Sequence, residues 1–328
     1  MQVLQITLRF FLALCANVAT KKHMKSDACS SQASNGLLPS GLGSPTAVVC
    51  HDAGAANIIQ AWMVEWPEHP WQPVMFGPAA RSWMYLNSSI ATFPDLDSAL
   101  SNAGVLLSGT GWASDIEHQA RKLAREKGVR SIAVLDHWVN YADRFVRDGE
   151  VVLPDELFVT DEYARREAER CFPGLAVSMH ENLYLTVQLR ELSRLTKNAQ
   201  EVLYLLEPIR AQWPRNVAGE FEALDHFIMR WDKLSIPGDA TLRLRPHPSD
   251  SPGKYAEWIA AHGDLKIVLD DGPSLAHALA RARWVAGCET NAMTVALAAG
   301  RTVISTLPPW APPCRLPHEG IVRLSELA

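Results

Sequence analysis

At 328 residues the chain is long for one domain and comfortable for two. Its 48% hydrophobic and 20% charged residues are ordinary for a soluble protein, and a formal charge of −5 leaves no basic excess for nonspecific nucleic-acid binding. Six scattered cysteines with no C-x-x-C pair fit neither a zinc pattern nor a disulfide framework, so reduced thiols in a cytoplasmic protein are expected.

Residues 1–45 stand apart from the rest. Leu8–Ala19 is an apolar run too short to span a bilayer, followed by KKHMK and a Ser/Gly-rich tract. Arg9 alone supplies basic charge before its core, a weak start for a signal peptide. A disordered extension is expected, with Met24 as an alternative start. Peripheral anchoring at the inner membrane face is the second reading.

From Thr46 the chain reads strand, loop, helix. TAVVC, residues 46–50, is a buried-type strand, and the small residues Ala53 to Ala56 turn it into a helix near Asn57. His51 and Asp52 fall at the strand's carboxyl end, where open α/β sheets bind ligands and a general base would sit. Capping of the next helix is the alternative. Strands follow at Val74–Phe76 and Gly104–Leu107, and a Gly-containing turn leads into a helix over Asp115–Lys127. The strand Ser131–Leu135 ends in Asp136, His137, Trp138, Val139, Asn140 and Tyr141. That set reads as a substrate wall, with Trp138 and Tyr141 stacking on a sugar ring while Asp136 and Asn140 bind its hydroxyls. Core packing of Trp138 is the alternative. Glu156–Val159 and a helix over Asp161–Cys171 complete a first βα series, residues 46–190.

The domain junction is expected between Leu183 and Gln200, and a second series occupies residues 200–310. Glu201–Leu206 is a strand; Gly219–Leu234 is a helix whose Phe221, Leu224, Phe227, Ile228 and Trp231 repeat at core spacing. Thr241–Arg245 is the next strand, and Pro246 and Pro248 fix His247 in a stiff loop just past it. With Arg243 and Arg245 upstream, this loop suits a phosphorylated ligand; a surface proline turn is the alternative. A helix at Lys254–His262 and a strand at Lys266–Leu269 follow, and Asp270-Asp271-Gly272 is expected to cap a helix to Arg281. After the strand Trp284–Ala286, Glu289, Thr290 and Asn291 open a helix, where free N–H groups and the dipole favour an anion. A plain N-cap is the alternative. Thr302–Ser305 is the last expected strand, and residues 311–328 are expected to cross back over the surface.

RPHPSD resembles the R/K-x-H-P stretch of GT-B glycosyltransferases with a His-Pro motif in the second domain: bacterial sialyltransferases, Kdo transferases and CDP-glycerol glycerophosphotransferases. The resemblance spans residues 46 to 310 in architecture, with motif support in the second half only. It implies an α/β fold of two Rossmann-like domains facing a central cleft, acceptor domain first and nucleotide-donor domain second. His247 then binds the nucleotide phosphate. Leu275–Asn291 resembles the stretch where those families place a Ser-Ser pair on that phosphate; here Thr290-Asn291 or Glu289-Thr290 replaces the pair.

The expected function is metal-independent glycosyl transfer, with no cofactor, to a surface-polysaccharide, glycan or lipid-linked acceptor. A CMP-linked acidic sugar is favoured over CDP- or UDP-linked donors. Asp52 is the expected base, ahead of Asp136, and His51, Asp136, His137, Trp138 and Asn140 line the acceptor side. Arg243, Arg245, His247, Glu289, Thr290 and Asn291 are the expected donor-phosphate residues. The rivals are a sugar-nucleotide 2-epimerase-like isomerase and a non-catalytic nucleotide-sugar-binding protein.

Overall fold

The computed structural model describes residues 38–327 except 87–89, 193–199, 210–212, 214–217, 248–249 and 273. The run Leu8–Ala19 and Pro248 of the RPHP stretch therefore lie outside the described residues. The chain divides into two compact units, one ending at Thr186 and the other beginning at Val187.

The first unit runs β1 (Thr46–Cys50), α1 (Ala53–Glu65), β2 (Trp71–Met75), α2 (Gly77–Leu86), α3 (Leu96–Leu100), β3 (Val105–Ser108), α4 (Ile116–Lys127) and β4 (Arg130–Val134). It continues with β5 (Val146–Arg147), β6 (Glu150–Val151), β7 (Glu156–Val159), α5 (Glu162–Cys171), β8 (Ala176–Met179) and α6 (Leu183–Glu191). The last of these crosses the division between the units. Six strands form a parallel sheet in the order β2-β1-β3-β4-β7-β8, while β5 and β6 make a separate hairpin.

A central parallel strand covered on both faces has to be apolar throughout, and β1 is buried at all five positions. Val48 and Cys50 pack with Ile59, Trp62 and Met63 on one face. Ala47 and Val49 pack with Leu100, Ala120 and Ala124 on the other. The helix after β1 starts at Ala53 rather than near Asn57. Ala53 to Ala56 form its first turn, in which Ala55 and Ala56 are buried.

The second unit runs β9 (Glu201–Leu205), α7 (Gly219–Met229), β10 (Thr241–Arg245), α8 (Ala256–Ala261), β11 (Ile267–Leu269), α9 (Leu275–Arg281), β12 (Ala282–Gly287), α10 (Asn291–Ala298), β13 (Thr302–Ser305) and β14 (Ile321–Arg323). Its parallel sheet has the order β11-β10-β9-β12-β13-β14, the doubly wound arrangement of dinucleotide-binding folds. Two expectations change here. Ser274, not the Asp270-Asp271-Gly272 stretch, caps α9, its hydroxyl accepting from the His277 N–H. Within the expected surface tail, Ile321–Arg323 is the sixth strand of the sheet, with Ile321 and Leu324 buried. Among the described residues no helix is long and apolar enough to cross a membrane.

Candidate functional site

At the carboxyl edge of the first sheet, His51 Nδ1 and Asp52 Oδ1 are 2.7 Å apart. A carboxylate accepts there, so Nδ1 carries a proton, and in the neutral ring the lone pair is on Nε2. The expected alternative, a helix cap, does not form: the Asp52 side chain makes no capping hydrogen bond. The His51 N–H donates to Glu117 Oε1 at 3.0 Å, and the Gly111 N–H donates to Glu117 Oε2 at 2.5 Å. One buried carboxylate from the first turn of α4 thus ties the end of β1 to the loop after β3. Burial raises the Glu117 carboxyl above its ordinary range, against the pull of those two N–H groups and of Arg121.

Missing side chains make this cluster possible. A Cβ on Gly111 would lie 2.2 Å from Asp52 Oδ2, and one on Gly77 would lie 2.5 Å from His51 Nε2. A Cβ on Gly54 would fall 1.7 Å from Asp136 Oδ2. The strand order β2-β1-β3-β4 therefore brings His51, Asp52 and Asp136 to one edge, in space that glycines leave. Asp136 accepts from buried Arg144 at 3.3 Å; the same guanidinium donates to the carbonyls of Thr110 and Val139. Arg121, which burial lowers to about 10, donates to the Gly109 carbonyl, and Arg147 donates to that of Gly111. Three guanidiniums hold the loop that the dyad leans on.

The rest of the expected substrate wall is differently disposed. Tyr141 is 2% exposed and packs with Phe145, Leu157 and Ala164, so it offers no ring for stacking. The Trp138 indole packs on that same cluster and donates to Asp161, the N-cap of α5, at 2.9 Å. His137 Nδ1 accepts from the Trp138 N–H at 3.0 Å, and Asn140 is exposed with a left-handed backbone at φ 58°. Of the residues expected to form that wall, the core took Trp138 and Tyr141.

In the second sheet β9 lies between β10 and β12, so the loops after these strands are neighbours. Arg243 does not reach that edge. Its guanidinium pairs with Glu201, the first residue of β9, at 2.9 Å, and Arg281 joins the same carboxylate at 2.7 Å. Arg245 is at the edge but forms an ion pair with Asp270, whose side chain is 3% exposed. The exposed His247 donates its backbone N–H to Asp250 at 2.9 Å. Asp250 also accepts from Lys254 at 2.7 Å and from the Tyr255 hydroxyl at 3.1 Å, and Lys254 reaches on to Glu220 at 2.7 Å. Desolvation pulls the His247 imidazole below its ordinary range, with Asp250 opposing and Lys254 adding to the effect.

The turn before α10 already holds a carboxyl of the chain's own. Glu207 Oε1 accepts from the N–H groups of Cys288, Glu289 and Thr290 at 2.9, 2.8 and 3.0 Å. Burial lifts the Glu207 carboxyl to about 7; the three N–H donors pull it down and the Glu289 charge pushes it up. Thr290 caps α10, its hydroxyl accepting from the Ala292 N–H at 3.4 Å. Glu289 is clasped by Arg315, and Asn291 Oδ1 accepts from the Thr294 hydroxyl at 3.1 Å. At this turn the cap reading describes the side chains, and the free anion seat is filled from within. Glu117, Glu207 and Asp270 escape sequence reasoning because each acts on residues distant in the chain. Asp250 had a local signal, its place three residues after His247 in RPHPSD.

No protein-family model and no curated protein matches this sequence. Solved structures match in shape. The UDP-GlcNAc 2-epimerase of Neisseria meningitidis, bound to UDP-GlcNAc, is similar at a TM-score of 0.55 and 10% identity, over 84% of this chain and 86% of that one. S. aureus MnaA in its UDP co-structure gives 0.54 and 10%, over 79% and 78% of the two chains. The glycotransferase of kitacinnamycin gives 0.51 and 13%, over 85% of each. At such identities the likeness carries the fold: two doubly wound α/β units of the GT-B type.

Proposed function

We propose that the chain is a glycosyltransferase that moves a sugar from a nucleotide-activated donor to a glycan acceptor, with His51 as general base. The observation that carries this is the His51–Asp52 pair, which turns Nδ1 to the carboxylate and leaves Nε2 as the ring nitrogen for an acceptor hydroxyl. The acceptor hydroxyl gives its proton to Nε2 as its oxygen attacks the anomeric carbon, and the bond to the nucleotide phosphate breaks. Asp52 orients the ring and stabilises the imidazolium, which moves it from base to partner of the base. Asp136 is placed to accept from a neighbouring hydroxyl. In the second unit His247, with Arg245 two residues upstream, is the group assigned to the donor phosphate. Fold neighbours bound to UDP and UDP-GlcNAc favour a UDP-linked donor over the CMP-linked one that the motif suggests.

A sugar-nucleotide 2-epimerase is the second reading, favoured by the 0.55 similarity to such an enzyme. His51 would then take a proton from carbon. Thermal shifts with UDP, CMP, CDP and GDP on the wild type and His247→Ala test the donor. A nucleotide at a hundredfold over its dissociation constant adds about 2.7 kcal/mol. Stabilisation of the wild type alone supports the assignment; no shift with any nucleotide sinks both enzyme readings. Proton NMR of UDP-GlcNAc then separates them: epimer without acceptor means isomerase, and change only with acceptor means transfer.

A further inference from the structure

The aromatics expected to stack are packed away, yet the same sheet edge exposes two others. Trp112 is 46% and Phe76 38% exposed. Their places are tied to the dyad. The Phe76 N–H donates to the carbonyl of Cys50, and the next residue is Gly77, against which His51 Nε2 packs. Trp112 directly follows Gly111, against which Asp52 packs. Each aromatic is thus the chain neighbour of a glycine touching one member of the dyad, and the order β2-β1-β3 sets them on opposite sides of it.

Trp112 is also a fixed surface. The Arg144 guanidinium lies 5.4 Å from its ring centroid, is itself 5% exposed, and is held by Asp136, Thr110 and Val139. One face of the indole rests on a buried cation while nearly half its area stays in water. Cation–π stacking of this kind restrains the ring. A tryptophan offers a broad apolar face with a polar tip, the combination enriched at contact surfaces.

We propose that Trp112, with Phe76 across the dyad, is the stacking platform for the pyranose ring of a saccharide acceptor. A pyranose has an apolar C–H face that matches the indole and a rim of hydroxyls that matches Asp52, Asp136 and His51 Nε2. A fatty chain would leave those carboxylates unanswered. The word acceptor rests on the transferase reading; the sugar subsite does not.

The test uses the full chain labelled at its tryptophan indole nitrogens, the Trp112 signal being identified by its loss in Trp112→Phe. Chitobiose, lactose and sialyllactose are titrated to millimolar levels, with UDP in parallel. At least one saccharide is expected to move the Trp112 signal saturably. Trp112→Ala should weaken that sugar about tenfold, Phe76→Ala less, and neither should alter UDP affinity. Because Trp112 is exposed, an unchanged melting temperature certifies the variant as folded. The proposal fails if no saccharide moves Trp112, or if Trp112→Ala binds the sugar as tightly as the wild type. Sugar binding without transfer sinks only the transferase reading; transfer with an unaltered acceptor KM in Trp112→Ala sinks only this one.

Discussion

At the edge of the first sheet, His51, Asp52 and Asp136 occupy space because positions 77, 111 and 54 have no side chain. At the edge of the second, charge is answered from within the unit: Arg245 by Asp270, Lys254 by Asp250 and Glu220, Glu289 by Arg315, and three backbone N–H groups by Glu207. Among the described residues no side chain or backbone group bonds to Nε2, so a hydroxyl arriving at the first edge displaces none of them. A phosphate arriving at the second competes with carboxylates already in place. The worth of a cation to a ligand depends on which acid stands beside it, and that acid is often far away in the chain.

The contrast is tested most severely by His51→Ala, expected to slow transfer by about 100- to 10,000-fold, the range for a general base. A loss below tenfold in kcat/KM would mean that the reacting edge has been misassigned. Glu207→Ala strips three backbone donors of their acceptor and should cost about 3 kcal/mol in urea unfolding. Glu207→Gln separates charge from shape. The folded carboxyl titrates near 7, above its value of 4.5 in an unfolded chain, so its contribution is full below 4.5 and is lost as pH rises through 7. Relative to the wild type, the Gln variant should therefore gain stability between about pH 5 and 8, by no more than about 3 kcal/mol. A constant difference across that window would show that Glu207 is ionised throughout.

Gly111→Ala drives a methyl against Asp52 and should lower stability by about 1–3 kcal/mol while displacing the dyad. Full activity and an unshifted melting temperature in this variant would show that the glycine clearance is incidental. The smallest effect belongs to Arg243→Ala. Its guanidinium serves Glu201 at the far end of β9, so nucleotide affinity by calorimetry should stay within about twofold. A tenfold loss would place Arg243 at the donor edge after all.

The alternation of apolar strands with helices was legible because covered parallel strands must be apolar on both faces, as in Ala47 to Cys50. His51 was legible as a candidate site residue through its position after β1. Its division of labour with Asp52 was not, since adjacent residues can point anywhere until the glycines of other loops are in place. Trp138 and Trp112 each follow an apolar strand, and nothing in the letters says that Asp161 takes the one while Arg144 supports the other. The helix start was expected to take an anion, and the group found on its N–H donors is a carboxyl of the chain itself. That Glu207 supplies it required knowing that β9 and β12 are neighbours. Long-range pairing is the information a local pattern lacks.

The sixth strand of the second sheet has a consequence for synthesis. β14 pairs with β13 along its whole length, yet it is made last, fifteen residues after β13 ends. Residues up to Thr186 can complete their sheet while the ribosome is still working, whereas β13 is left as the edge of the second sheet until Arg323 has emerged. Until then β13 shows unpaired backbone groups to other nascent chains, the situation in which strands add to the wrong partner. A chain stopped before Ile321 would keep that edge for life, and would be expected to collect in aggregates even with every residue of the dyad present.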